Sequence, residues 1–155
     1  MVINYEQSPE AVIAGIKPPA KAHDTDSGFD IFSPVTLFLM PNERCTVNLQ
    51  VRFAIPTDFA MCEIYPIGIE GQIRPKSGRS RAGIDVELGT IDAEYRGYVG
   101  ATITNTTLGM VKIEANEKLC QLVFAPVIRE IVLEAGKVAT DTERGEKGFG
   151  ATGLK

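Results

Sequence analysis

Four short stretches concentrate residue types that can do chemistry. Gly89-Thr90-Ile91-Asp92-Ala93-Glu94-Tyr95-Arg96-Gly97 sets an aspartate and a tyrosine between glycines. A carboxylate in such a turn acts as a general base if it reaches a water beside an electrophilic phosphorus; a β-hairpin with an exposed acidic turn would read the same. Arg74-Pro75-Lys76-Ser77-Gly78-Arg79-Ser80-Arg81 packs four cations, two hydroxyls and a glycine into eight residues, which suits a phosphate cradle or a solvated basic loop. Asp24-Thr25-Asp26-Ser27-Gly28-Phe29-Asp30 offers carboxylates that could hold a divalent cation or merely form a turn. Arg144-Gly145-Glu146-Lys147-Gly148-Phe149-Gly150-Ala151-Thr152-Gly153 lacks the Gly-Lys-Ser/Thr of a P-loop. Its aromatic could still stack on a base, with Arg144 and Thr152 donating to phosphates, or the segment could be a disordered tail. The single histidine, His23, supports no Ser/His/Asp triad.

The elements that would carry these stretches are strands. Thr46 to Phe53 alternates polar and apolar, placing Val47, Leu49, Val51 and Phe53 on one face. Weaker alternation follows at Val99, Ala101 and Ile103 and at Val111 and Ile113, and Leu119 to Val127 is nearly continuous apolar sequence suited to a buried strand. Turn residues at Ser33-Pro34, Pro41-Asn42, Pro56-Thr57-Asp58 and Asn105-Thr106-Thr107 space the strands as an all-β sandwich or barrel requires. One helical turn is predicted, beginning near Ser77 and covering Arg79 to Ala82. Residues 1–139 form the single predicted domain; residues 140–155, rich in glycine, form a tail that only a ligand or partner would order.

The chain has 155 residues, enough for one domain with a real core. Its formal charge of -4 and lack of a basic run exclude non-specific nucleic-acid binding. Cys45, Cys62 and Cys120 lie far apart, so neither a zinc site nor a disulfide framework is expected. The N-terminus has no signal-peptide pattern and no stretch suits a transmembrane helix. The expectation is a soluble, cytoplasmic protein, or one in the host cytoplasm if viral.

In order along the chain, and with Glu117-Lys118-Leu119-Cys120-Gln121-Leu122-Val123 inserted before the last, these stretches resemble the five motifs of the trimeric dUTPase family, from about Ala22 to Gly153. The resemblance implies a jelly-roll-like all-β fold, a homotrimer with active sites between subunits, and a C-terminal arm closing over a neighbour's site. The implied reaction is Mg²⁺-dependent hydrolysis of dUTP to dUMP and pyrophosphate, which limits uracil incorporation into DNA and supplies dUMP for dTMP synthesis. By the same resemblance Asp92 orients and deprotonates the attacking water and contacts the 3′-hydroxyl, while Asp30 helps hold Mg²⁺ through its water shell. Tyr95 packs under the deoxyribose and leaves no room for a 2′-hydroxyl. Ser77, Gly78 and Gln121 contact phosphates, and main-chain groups around Gly89 and Ile91 read uracil. From the arm, Phe149 stacks on uracil, Arg144 reaches the γ-phosphate, and Gly150, Ala151 and Thr152 close on the phosphates.

The chain departs from the family pattern in places. Lys76 replaces the usual arginine, a point charge where the family has a planar fork. Arg79-Ser80-Arg81 replaces a more apolar stretch, and Ala151 stands where serine is frequent. Two rival functions follow from the same fold: a dCTP deaminase, or a nucleotide-gated regulator with a protein partner. Deamination would need a glutamate on the strand after the hairpin, and Tyr95 through Ile113 contains no carboxylate. A purely structural β sandwich is the third alternative.

Overall fold

The computed structural model describes residues 1–57 and 67–142. Its strands are β1 (Asn4–Gln7), β2 (Gly28–Phe32), β3 (Leu37–Leu39), β4 (Arg44–Asn48), β5 (Val51–Ala54), β6 (Ile67–Arg74), β7 (Ile84–Val86), β8 (Gly89–Ile91), β9 (Gly100–Asn105), β10 (Val111–Ile113) and β11 (Lys118–Ile128). Two single-turn helices, α1 (Pro9–Ile13) and α2 (Ser77–Arg81), interrupt them. The all-β expectation is met.

Among the described residues four small antiparallel sheets, β1-β5, β10-β3, β2-β11-β6-β8 and β4-β9-β7, surround a main core, with a small second cluster of Ala11, Ile16 and Phe32 beside it. The Thr46–Phe53 alternation buries Val47, Leu49, Val51 and Phe53 as expected. It does so across two strands rather than one. Gln50 takes a left-handed φ of 53°, its N–H donating to Asn48 Oδ1 at 2.9 Å, and the chain leaves β9 for β1 at that bend. Asn tolerates and caps such turns. Pairing then continues through Val99, whose carbonyl accepts from Leu49 N and whose N–H donates to Val51 O.

Ile84, Ile103, Ile113, Leu119 and Leu122 are fully buried at the centre. The apolar run of β11 is buried only in its first half; from Val123 to Ile128 it is half-buried or exposed. The N-terminal pair β1 and α1 was not anticipated. Ser8 caps α1, its hydroxyl accepting from Ala11 N at 3.1 Å, with Pro9 in the first turn, a recognised start signal. The helical turn at Ser77 is where the sequence predicts it. Cys45 and Cys120 are free thiols, and burial pushes Cys120 up to about 12. Among the described residues no helix is long and apolar enough to cross a membrane.

Candidate active site

The sheet β2-β11-β6-β8 brings the separated motifs together. In register, Asp30 on β2 faces Gln121 on β11, which faces Arg74 on β6; one step along, Ile73 faces Gly89 and Gly71 faces Ile91 on β8. Asp30 and Gln121, far apart in sequence, thus share one row.

Asp92 follows β8 directly and is exposed, while Ile91 and Ala93 on either side are buried anchors. A tight turn holds it: Tyr95 N donates to Asp92 O at 3.0 Å, and Arg96 Nη1 donates to the carbonyls of Ala93 and Tyr95, the latter at 3.0 Å. Tyr95 Oη donates to Tyr98 O at 3.0 Å. A cleft of about 230 Å³ is lined by Gly89, Thr90, Ile91, Asp92, Tyr95 and Val99 among others. The second cleft, about 560 Å³, shares Ile73, Gly89 and Thr90 with it and adds Arg74, Pro75 and Gln121. Because β8 is an edge strand with no further sheet partner among the described residues, one side of its backbone can offer donors and acceptors to a flat ligand.

Gln121 donates from Nε2 to Pro75 O at 2.9 Å, which fixes the chain just before Lys76, Ser77 and Gly78. Its side chain passes over Gly28, where a Cβ would sit 2.7 Å from Gln121 Oε1. Ser77 and Gly78 are exposed and do not line the Asp92 cleft.

The basic segment is less free than its composition suggests. Lys76, at the N-cap of α2, makes no side-chain cap; its ammonium binds Asp30 Oδ1 instead. Arg79 donates from Nε to Lys118 O at 2.7 Å and from Nη2 to Glu117 at 2.9 Å, docking α2 on the start of β11. Arg74 turns to Gln72. Arg74, Lys76 and Arg79 therefore each have a partner among the described residues, and Arg81 is exposed.

Asp30 is 6% exposed. Burial pushes its carboxyl up, but bonds from Lys118 and Lys76 together outweigh it and hold the group below the usual carboxylate range. Both oxygens are taken, since Lys118 Nζ lies 2.7 Å from Oδ2. Asp30 therefore does not fit an inner-sphere metal ligand, and among the described residues no group of three or more His, Cys, Asp or Glu could hold an ion. Asp24 and Asp26 are turn formers here: Asp26 Oδ2 accepts from His23 N at 3.0 Å. Lys118 and Arg96 were not singled out from sequence; a lone lysine at the head of an apolar run was the available signal for the first. Arg144, Phe149, Gly150, Ala151 and Thr152 lie outside the described residues.

A family profile described as dUTPase matches residues 15–153. A deoxyuridine 5′-triphosphate nucleotidohydrolase of Clostridium novyi is 37% identical over 139 residues, covering 88% of this chain and 90% of that one. Among solved structures, a Staphylococcus bacteriophage 80alpha dUTPase mutant with dUpNHpp superposes with a TM-score of 0.82 at 26% identity, covering 99% of both chains. The dUTPase of Staphylococcus aureus phage phi11, in a mutant described as revealing the coordination of a structural Mg(II) ion, superposes with a TM-score of 0.74 at 24% identity, covering 88% of this chain and 98% of that one.

Proposed function

Because this chain belongs to the dUTPase family, we infer that it is a dUTP diphosphatase, releasing dUMP and pyrophosphate by attack of water on the α-phosphorus. The observation that carries this reading is the exposed Asp92 carboxylate at the lip of the cleft walled by Tyr95 and the edge strand β8.

In this reading Asp92 accepts a proton from the attacking water and holds it in line with the α-phosphorus. Uracil lies against β8, where main-chain groups of Gly89 and Ile91 match its edge and leave cytosine with mispaired donors. Tyr95 lies under the deoxyribose. Gln121, through the chain it holds at Pro75, and Ser77 and Gly78 face the phosphates, with Lys76 adding positive charge. Magnesium would be taken up with the triphosphate and shield its charge, with Asp30 outside its direct coordination.

The active form is a homotrimer with sites between subunits. Two features support this. Ser77 and Gly78 do not line the cleft that holds Asp92, so a phosphate reaching them suits a site completed by another copy. Further, Ile131, Leu133 and Val138 are exposed by 64%, 94% and 80% in a single chain, an apolar run that association would cover. Residues 140–155 serve as the closing arm, bringing Arg144, Phe149, Gly150, Ala151 and Thr152 to a neighbour's site, and a closed arm excludes water.

The test is pyrophosphate release from dUTP, UTP, dCTP and dTTP with Mg²⁺, comparing the native chain with Asp92→Asn. Release from dUTP alone, reduced about 10²–10⁴-fold in the variant, is expected. Ammonia release from dCTP would establish a deaminase instead, and light scattering at the monomer mass would remove the trimer.

A further inference from the structure

Gly97 is a glycine that its backbone does not require. Its φ lies outside the left-handed region, unlike Gly15 and Gly83, so an L-residue could adopt the same conformation. What a side chain would meet is Tyr95. A Cβ at position 97 would overlap Tyr95 Oη and lie 2.6 Å from Cζ and 3.0 Å from Cε2. The hydroxyl end of the ring therefore lies against residue 97, closer than a side chain there would permit.

The ring is also held at both ends. The backbone N–H of Tyr95 donates to Asp92 O and its hydroxyl donates to Tyr98 O, each at 3.0 Å. Arg96 draws in the carbonyls of Ala93 and Tyr95 from the other side of the turn. With the ring so placed, Tyr95 walls the 230 Å³ cleft beside Asp92 and also lines another of about 710 Å³ together with Asp92, Glu94 and Arg129. A displaced ring would change the shape of both.

We propose that Gly97 is a positioning residue for sugar selection: by having no side chain it seats the Tyr95 ring where it closes the space beside C2′ of the nucleotide. This rests on the reading of the cleft as the dUTP site. A methyl at position 97 meets the far end of a side chain that can swing, so the fold survives and the ring moves. Once it swings, the bond to Tyr98 O is lost and the wall of the cleft opens.

The experiment measures kcat/KM for dUTP and UTP in the native chain, Gly97→Ala, Tyr95→Ala and the double variant. Gly97→Ala should lower the dUTP over UTP ratio about tenfold, the scale of a single lost packing contact in a pocket. Tyr95→Ala should lower it as well, and adding Gly97→Ala to Tyr95→Ala should change it no further, because the two act through one ring. An unchanged or increased ratio in Gly97→Ala, or an equal fall in both backgrounds, overturns the proposal. Urea midpoints of the same four proteins read the contact without reference to the reaction: Gly97→Ala should shift the midpoint down when Tyr95 is present and not when it is alanine. If the native chain fails to hydrolyse dUTP while this coupling is present, the functional reading falls and the Gly97–Tyr95 contact stands; additive midpoints would remove the contact itself.

Discussion

Lys118 on β11 places its Nζ 2.7 Å from Oδ2 of Asp30, while Lys76 at the head of α2 takes the other oxygen of the same carboxylate. One buried anion thus joins three elements that sequence keeps far apart. Counted over side chains alone, Asp30 is 9% exposed, Lys76 27% and Lys118 49%, so the anion sits in the protein while its partners reach towards water. Three charges sum to one positive charge beside the segment proposed to face the triphosphate.

Asp30→Asn should lower stability at pH 7 by about 1–3 kcal/mol, below the cost of breaking a fully buried pair because the lysines are partly solvated. The pH dependence has a definite sign. The folded carboxyl titrates below its unfolded value, so its contribution is complete above the unfolded pKa of about 3.9 and is lost as pH falls through the folded value. Urea unfolding of native chain and variant should give a constant gap between about pH 5 and 8 that closes below about pH 4. A gap equally wide at about pH 3 would mean that the ion pairs are not its source.

Asn105 is fully buried on β9 and spends its whole side chain on bonding. Nδ2 donates to Leu39 O, Met40 O and Gly109 O at 2.9, 3.1 and 2.8 Å, and Oδ1 accepts from Thr107 N and Oγ1 at 2.9 and 2.8 Å. Asn105→Ala strands these groups in the interior and should cost about 2–4 kcal/mol, read as a lower urea midpoint at unchanged slope. Asn105→Asp should cost more, since a carboxylate would face three carbonyls. Turnover of the folded variant should match the native chain, because Asn105 touches neither cleft.

The sequence exposes the strands wherever one face is buried. Val47, Leu49, Val51 and Phe53 announce themselves by alternation, yet the same pattern hides the break at Gln50, since burial of one face is indifferent to which sheet supplies the partner. Ser8-Pro9 carried a readable helix start that the thin apolar pattern around it obscured. At the site, Asp92 and Tyr95 stand out because glycines bracket them. Lys118 does not, because its meaning comes from a partner eighty-eight residues earlier across a strand register. Arg79 shows the other side of this: composition leaves its segment open between a phosphate cradle and a solvated basic loop, and the fold uses it for neither, docking α2 on β11. Composition gives the charge of a loop but not which charges the fold has already consumed.

Gly28 has a role that follows from Gln121. A methyl at Gly28 would come within 2.7 Å of Gln121 Oε1 and 3.2 Å of Val123 Cγ2, so Gly28→Ala should push the amide off Pro75 O and loosen the chain leading to Ser77. The expected result is a KM for dUTP raised about three- to tenfold with a smaller change in kcat, the pattern of lost binding common to ground and transition states. Gln121→Ala should give the same phenotype, and the double variant should be no worse than either. A strictly additive pair would show that Gly28 acts elsewhere.

The arm can be tested apart from the barrel. Among the described residues the buried core reaches no further along the chain than Leu122 on β11, and residues 129–142 have no regular structure and are exposed, so ending the chain after Thr142 removes the last glycine-rich motif and keeps every one of those buried residues. The shortened chain should melt as the native one does in the absence of nucleotide. Its response to nucleotide should differ: a ligand held at about 100 times its Kd stabilises by about 2.7 kcal/mol, and losing the arm should weaken binding enough to shrink that gain at the same concentration. Phe149→Ala should do part of the same, with both weaker binding and slower turnover, because a ring that stacks on uracil also helps seal the site against water. Full nucleotide stabilisation and full turnover in Phe149→Ala would take that ring out of the mechanism and leave the edge strand β8 as the base-recognition element.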